Sequence, residues 1–375
     1  MKTDPRTPRR VGRGVRAGTG VQCVVVTGDG DAELVTHLLA QMLNARPRTH
    51  ARVVVVEQGA VPEQVLAGLE RERCTHALLR VEQEQLSGPE WELLCPCLCV
   101  LTGTPGEGES LSLARRSRNV VYSPDELGWQ SVWSLPHPGE VTYSQQDMRA
   151  SVTARNLRLF PSHVEFEAVA TGRIQRVFLP VAGGFTFYHG LCALACGLCL
   201  GLDWEEMGRV LRCARGPLGR MEVLPIPAAC SVVLDKADTV REVERLLTCA
   251  REFTAARLIC LLSCSGRADG HTLAQLGGVA EQLADRVILM GDGAPQECAC
   301  AAIALTRMGM SDAAGQIPDR DEAVDRALRG AGAGDVIVLA GGRAGETSDG
   351  FARERARIMA YFSGGQRSVK DGCSR

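Results

Sequence analysis

Between a predicted strand and a predicted helix lies a glycine-rich turn, the first feature of the chain that could do chemistry. An apolar run over 21–26 leads into Thr27-Gly28-Asp29-Gly30, and a helical pattern begins near Glu33. A strand, a glycine turn and a helix together present backbone N–H groups to an anion, as in phosphate-binding loops. Such loops carry Lys and Ser or Thr at the start of the helix, where this chain has Ala32 and Glu33.

The turn is also acidic. Asp29, Asp31 and Glu33 place three negative charges where a helix N-terminus attracts an anion with only about half a unit charge. A dinucleotide fingerprint is excluded as well, because its third glycine is absent. The turn alone thus predicts no intact triphosphate site. The candidate nucleotide contacts within it are Thr27, Gly28 and Gly30.

The 16 cysteines could bind a metal, form disulfides or fill the core. Those of 95–99 alternate as the inward positions of a strand do, and those of 192–199 fall on one face of an Ala/Leu-rich helix. Cys196 and Cys199 have no second pair and no histidine at ligand spacing. The pattern favours reduced, buried cysteines and no metal site, with a redox or metal protein as an alternative.

Lysine is scarce. Of the 42 Lys and Arg residues only Lys2, Lys236 and Lys370 are lysines. Asparagine is equally rare while Gly, Ala and Arg abound, as a GC-rich coding sequence would produce. Chemistry that needs a lysine therefore has three candidates.

Length and charge set the class of protein. A chain of 375 residues suggests two or three domains, and no apolar run is long enough to span a bilayer. The net charge of -2 gives no global field for nucleic acid or lipid. The basic segment 1–20 lacks the apolar core of a signal peptide. We expect a cytoplasmic protein with a disordered start and no nucleic-acid or membrane partner.

The pattern along the chain predicts two α/β domains. Short apolar runs alternate with helical stretches from Val21, as in a parallel sheet, and antiparallel strands are expected over 119–180. Two helices and a Gly/Pro linker at 216–219 follow, and strand-helix alternation then resumes as in a doubly wound domain. The predicted boundaries are 21–214 and 215–362, with a flexible tail over 363–375.

Several stretches of the second half carry a family resemblance. They are Leu179-Pro-Val-Ala-Gly-Gly-Phe-Thr-Phe-Tyr-His-Gly-Leu-Cys-Ala-Leu, Leu200-Gly-Leu-Asp, Gly216-Pro-Leu-Gly-Arg-Met-Glu-Val, Ile317-Pro-Asp-Arg-Asp-Glu-Ala-Val and Gly334-Asp-Val-Ile-Val-Leu-Ala-Gly. In order and spacing they resemble the Mur ligases that add the third residue to the peptidoglycan stem peptide, the UDP-N-acetylmuramoyl-tripeptide synthetases. The resemblance runs from Val21 to about Gly350. It implies a central P-loop-type α/β domain followed by a C-terminal Rossmann-like α/β domain.

The resemblance also implies ATP and Mg²⁺, an acyl phosphate and attack by an amino acid, yet the residues for this chemistry are replaced. Ala32 stands at the P-loop lysine, Glu33 at the Mg²⁺-binding hydroxyl and Arg80 at a metal-binding Glu. The carbamylated lysine is absent, because no lysine lies between Lys2 and Lys236. We therefore predict no catalytic residue and no metal ligand, and use of ATP and Mg²⁺ becomes doubtful.

Other family positions are kept in part. The segment 185–189 stands where the family has its adenine-side motif, and it leaves His189 as a nucleotide contact. Two further nucleotide contacts are Arg220, from an intact motif over 219–222, and Asp235, from an altered motif over 235–240. At the amino-acid site, Ala268 and Pro295 replace two family arginines. The vestigial substrate contacts are Asp292, Glu297, Gly341 and Glu346.

The kept residues also have purely structural interpretations. Arg220 would bridge the domains, Asp235 and Asp319 would cap the helices that follow them, and Arg320 would pair with a neighbouring acid. In addition, only about twenty residues precede the first strand, so we expect the family's UDP-binding domain to be missing.

The stretches that resemble the family's fold are retained, whereas the residues for its catalysis are replaced. This combination predicts a catalytically inactive Mur-ligase-like protein that acts as a binding or regulatory partner of cell-wall precursor enzymes or of an intact Mur ligase. The alternative is a divergent, active ATP-dependent amide ligase on a smaller substrate, supported by Arg220, Asp235, Asp292 and Glu346.

Overall fold

Two compact units make up the chain. The computed structural model describes residues 20–28, 32–103, 108–125, 139–264, 270–291, 315–317, 319–342 and 351–370. The first unit comprises the chain up to Arg158, His163–Pro180 and Phe185–Gly216, and the second comprises Leu159–Ser162, Val181–Gly184 and the chain from Pro217. The main border thus follows Gly216, two residues beyond the predicted one. The segment expected to be disordered, 1–20, lies outside the described residues except for Gly20.

The first unit is built on a sheet whose strands run side by side in the order β2-β3-β1-β4-β5-β6-β7-β8-β9, nine within the described residues. Strands β1 to β4 pair parallel; β1, β3 and β4 are mostly buried apolar runs, as expected where helices cover both faces of such a sheet, whereas the edge strand β2 is largely exposed. The strands are β1 Gln22–Gly28, β2 Ala51–Val55, β3 His76–Val81, β4 Leu98–Thr102, β5 Val120–Tyr122, β6 Glu140–Ser144, β7 Val152–Leu159, β8 Val164–Ala170 and β9 Arg173–Leu179.

The expected antiparallel patch over 119–180 is only partly right. Strands β8 and β9 pair antiparallel, and the residues of β8 alternate between buried and half-buried. Strands β5 and β6, however, pair parallel, as do β6 and β7. The reason lies in β5, which is buried along its whole length and therefore extends the parallel sheet.

Helices cover this sheet, and the innermost of them carries cysteines. The helices are α1 Ala32–Asn44, α2 Pro62–Arg71, α3 Glu109–Arg116, α4 Thr186–Cys199 and α5 Trp204–Arg212. Cys192, Cys196 and Cys199 of α4 are buried, and burial raises the pKa of Cys199 to about 12. The thiols are therefore apolar core groups, as predicted. Cys95 does not follow the predicted burial: it precedes β4 and is exposed.

The second unit is a doubly wound domain with the strand order β10-β11-β15-β12-β13-β14 in its described part. All pairings are parallel except β10 with β11. Its elements are β10 Glu222–Val223, β11 Ser231–Asp235, α6 Val240–Arg251, β12 Leu258–Ser263, α7 Gly270–Leu283, β13 Arg286–Met290, β14 Gly315–Ile317, α8 Arg320–Gly330, β15 Val336–Ala340 and α9 Ala352–Lys370.

Helix α9 extends into the predicted flexible tail. The helix continues from Phe362 into 363–370, because the two glycines at 364 and 365 weaken a helix by only about 1 kcal/mol each without ending it. Residues 371–375 lie outside the described part of the chain. The polar composition of 363–370 concealed the helix.

Stability of the second unit is expected to fall in acid through Asp335, at the amino end of β15. Its buried carboxylate accepts hydrogen bonds from Arg257 Nη2 at 2.6 Å and from the Gly332 backbone N–H at 2.7 Å. The bond from Arg257 lowers the pKa of Asp335 to about 2. Because the folded pKa lies below the unfolded one, the carboxylate stabilises the fold above about pH 4, and this contribution of up to about 2 kcal/mol disappears as the pH falls toward 2.

Urea unfolding of the wild type and Asp335→Asn between pH 7 and pH 2.5 measures this contribution. The difference in unfolding free energy should be largest at pH 7 and shrink on acidification. Arg257→Met should remove the same pH-dependent part, since it removes the group that lowers the pKa. A difference that stays constant across the pH range contradicts the assignment.

Candidate functional site

The carboxyl end of β1 is where the predicted phosphate turn begins. Thr27 and Gly28 are the last residues of β1, and Gly28 lies opposite Thr102 of β4 in the register. The Thr27 side chain is buried, and its Oγ1 has no hydrogen-bond partner among the described residues. Gly30, the third predicted contact, lies outside those residues. A strand that ends at Gly28 and a helix that begins at Ala32 are therefore present, as a phosphate loop requires.

The start of α1 holds a carboxylate in place of a phosphate-binding cation. Ala32 is buried as the first residue of α1, and Glu33 follows in its first turn. Glu33 Oε2 lies 3.6 Å from Nη1 of Arg80, and about three quarters of each side chain is shielded from solvent. Arg80 belongs to β3 and lies opposite Val26 of β1. The structure thus brings together two of the replaced positions, which lie 47 residues apart.

These residues do not fit the Mg²⁺ and phosphate that the resemblance implies. A guanidinium has only N–H donors and stays charged, so Arg80 offers Mg²⁺ no ligand oxygen. Glu33 places a carboxylate beside the backbone amides that would face a phosphate. Among the described residues no group of three or more His, Cys, Asp or Glu side chains is arranged to hold a metal ion.

The segment 185–189, at the position of the family's adenine-side motif, lies at the start of α4. Phe185 is the N-cap, and the hydroxyl of Tyr188 donates to Asp125 Oδ2 at 3.2 Å. Ser144 also donates to Asp125, and the Gln145 backbone N–H donates to Asp125 Oδ2 at 2.8 Å. His189, the predicted nucleotide contact, follows on α4 and is half-buried. The polar groups at this end of α4 are thus tied to the loop after β5 and to the end of β6.

Arg220 and Asp235 meet in the second unit. Nη1 of Arg220 lies 3.1 Å from Glu242 Oε1 and 3.7 Å from Asp235 Oδ1. Burial raises the pKa of Asp235, while the neighbouring Arg220 charge opposes that rise. Both of these acidic partners of Arg220 lie within the second unit.

Asp235 does not cap the helix after it, contrary to expectation. It is the last residue of β11, and its carboxylate accepts from the backbone N–H groups of Met221 at 2.7 Å and Ala237 at 2.8 Å. The cap of α6 is Thr239, which forms a capping box with Glu242. Asp319, by contrast, caps α8 as predicted, accepting from the Glu322 backbone N–H at 2.8 Å.

The carboxyl ends of β12 and β15 surround a buried cation, Arg320, which was expected only to pair with a neighbouring acid. Nε of Arg320 lies 2.5 Å from Glu354 Oε1, and both side chains are almost fully buried. Arg320 also donates to Ser263 Oγ at 3.1 Å and to the Gly341 carbonyl at 2.7 Å. Pairing with an acid was predicted correctly. The partner was not identified, although Glu354 lies at helical spacing between the buried Phe351, just before α9, and Ile358 within it.

The amino-acid side of the predicted site is described only at Gly341. This residue has φ +89°, its N–H donates to the Asp235 carbonyl at 2.9 Å, and a Cβ there would come within 2.8 Å of the Ser263 Cβ. The other predicted substrate contacts lie outside the described residues; they are Asp292, Glu297 and Glu346. Gly341 therefore fits a close approach of strand ends, whatever its role toward a ligand.

The second unit matches a known protein family. Residues 219–343 match the family model described as Mur ligase, glutamate ligase domain. The chain is 32% identical over 224 residues to UDP-N-acetylmuramoyl-L-alanyl-D-glutamate--2,6-diaminopimelate ligase of Pseudomonas aeruginosa. This matched region covers 59% of this chain and 46% of that protein. The Synechocystis protein of the same name is 32% identical over 230 residues, or 60% and 46% of the two chains. The matched region thus spans about half the length of these relatives.

Solved structures share the fold over most of the chain. A structure of UDP-N-acetylmuramoyl-L-alanyl-D-glutamate--2,6-diaminopimelate ligase superposes with a TM-score of 0.66 at 19% identity, covering 92% of this chain and 79% of that one. MurF ligase from Thermotoga maritima, solved in complex with ADP, gives a TM-score of 0.64 at 14% identity, with 91% and 79% covered. The predicted α/β fold class is confirmed. In the described residues, no helix is both long and apolar enough to cross a membrane.

Proposed function

Because residues 219–343 match the family model described as Mur ligase, glutamate ligase domain, we propose that the chain is a Mur-ligase-like protein that forms no amide bond. It acts in the cytoplasm as a binding or regulatory partner in peptidoglycan precursor synthesis. Its partners are enzymes of that synthesis, foremost an intact Mur ligase.

The Glu33–Arg80 pair is the observation that carries this proposal. Phosphoryl transfer depends on positioning and on cations that stabilise the charge of the transferred group. Here a carboxylate occupies the start of α1, and the nearby guanidinium of Arg80 is engaged with it at 3.6 Å. Removing one such stabilising group typically slows turnover by about 10²–10³-fold, so the combined loss of the lysine and the metal ligand leaves no useful rate.

Contacts in the second unit support the same conclusion. Arg220 faces two carboxylates, Asp235 and Glu242, at 3.7 Å and 3.1 Å. Glu242 is in turn held by the capping box of α6, and Asp235 by two backbone N–H groups. A network satisfied by the protein's own groups holds the fold together without a nucleotide. These contacts of Arg220 and Asp235 support a role in holding the fold.

The purified chain should join no amino acid to UDP-N-acetylmuramoyl-L-alanyl-D-glutamate in the presence of ATP and Mg²⁺. Product formation is followed by chromatography, and the Pseudomonas aeruginosa ligase serves as the positive control. In the same assay, adding the chain in equimolar amount should change the rate of an intact ligase. Amide product from the chain alone contradicts the absence of activity, and an unchanged ligase rate contradicts the regulatory role.

An active, divergent amide ligase is the competing function, supported by the retention of Arg220 and Asp235 beside each other. The two functions differ in nucleotide binding, since any ligand that binds the folded state raises its melting temperature. A divergent ligase requires that millimolar ADP or ATP with Mg²⁺ shift the melting temperature by several degrees. The proposed function requires no such shift.

A further inference from the structure

We infer that Glu33 and Arg80 are an internal replacement for a phosphate group and its divalent cation. The carboxylate takes the anion position at the start of α1, and the guanidinium takes the cation position beside β1. This inference rests on the proposed function and adds to it a physical reason why the first unit needs no phosphate beside the start of α1. It also explains why binding of a phosphate at the start of α1 would be unfavourable.

The anion position is defined by α1. The first turn of a helix carries backbone N–H groups without intrahelical partners, and the helix dipole adds a partial positive charge there. Glu33 lies in this first turn, as the second residue of α1. A carboxylate at such a position satisfies the same field that a bound phosphate would satisfy.

The cation position is defined by β3. Arg80 lies one strand away from β1, opposite Val26, and its carbonyl is fixed by the Val56 backbone N–H at 2.9 Å. The Arg80 side chain brings a positively charged guanidinium to the start of α1. It thus neutralises the carboxylate without metal, in the role that a divalent cation plays for phosphate.

Partial burial makes this pair more than a surface contact. About one quarter of each side chain is exposed, whereas in the Arg52–Glu72 pair at the edge of the same sheet about half of each is exposed. Screening by water weakens the exposed pair more strongly. Displacing Glu33 would leave two negative groups, the carboxylate and the incoming phosphate, competing for one guanidinium.

A double-mutant cycle tests the inference. Glu33→Gln, Arg80→Met and the double variant are unfolded in urea at low and high salt. The coupling should change the unfolding equilibrium constant by about fivefold or more at low salt. The matched control cycle, Arg52→Met with Glu72→Gln, should show less than about twofold coupling. Hydrogen exchange of the first turn of α1 should quicken in both single variants.

Ligand binding is tested with inorganic pyrophosphate, with and without Mg²⁺. The wild-type melting temperature should not move in either condition, whereas the triple variant Ala32→Lys/Glu33→Thr/Arg80→Glu should gain a shift that needs Mg²⁺. Additive effects in the Glu33–Arg80 cycle, or a pyrophosphate shift in the wild type, overturn the inference. Zero coupling in a chain without ligase activity defeats the inference alone. Ligase activity together with strong coupling defeats the proposed function alone.

Discussion

Replacing Arg320 by Met is expected to lower the free energy of unfolding by about 3–5 kcal/mol, the largest effect foreseen for a single polar residue here. The substitution leaves Glu354 as an unpaired charge in a site where its side chain is fully shielded from water. It also removes the donors to Ser263 and to the Gly341 carbonyl. These are two strand ends that the guanidinium ties to α9.

Urea denaturation measures the loss, and the double variant Arg320→Met/Glu354→Leu tests its cause. Two apolar side chains of similar volume remove the buried charge, so the double variant should lose less stability than Arg320→Met alone. Arg353→Met is the matched control on α9, because Arg353 pairs with Asp321 but is 65% exposed. Its expected loss is below about 1 kcal/mol. Equal losses from the two arginines contradict the importance of burial.

Gly28→Ala is expected to destabilise the first unit by about 3 kcal/mol. The residue has φ +144°, and a Cβ there would lie 1.7 Å from the Thr102 carbonyl oxygen. The clash involves backbone at the end of a neighbouring strand, so no side-chain rotation relieves it. The fold itself therefore requires this glycine, with or without a phosphate in the turn.

Gly59→Ala separates the two parts of this effect. Gly59 also has a positive φ of +79°, but an added Cβ would meet no atom within 4 Å. Its replacement should lower the unfolding free energy by only about 1 kcal/mol, the usual penalty for that backbone conformation. If Gly28→Ala proves as mild as the control, β1 and β4 do not approach as closely as the structure shows.

The long apolar strands and amphipathic helices could be read from sequence because each records its environment locally. The run over 21–26 predicted β1, and the helical pattern from Glu33 predicted α1, within about two residues of the observed bounds. Short elements failed. Strand β5 has three residues and β10 has two, too few for any periodicity to appear.

Pairings across the chain were beyond sequence reasoning. Glu33 and Arg80 were each recognised as a replacement, yet nothing local shows that their side chains meet, because their contact depends on β3 lying next to β1. The cap of α6 is a different case. Thr239 and Glu242 form a Thr-x-x-Glu capping box, a signal that was readable and favoured Thr239 over Asp235.

The reactivity of the buried cysteines can measure local unfolding of the strands that contain them. Among the described cysteines only Cys95 and Cys213 are exposed, while burial raises the pKa of Cys99 in β4 and of Cys260 in β12 to about 12. Alkylating reagents attack the thiolate, so these two central strands react only while they are open to water. The rate at which each thiol is modified therefore times the opening of the sheet that contains it, one sheet in each unit.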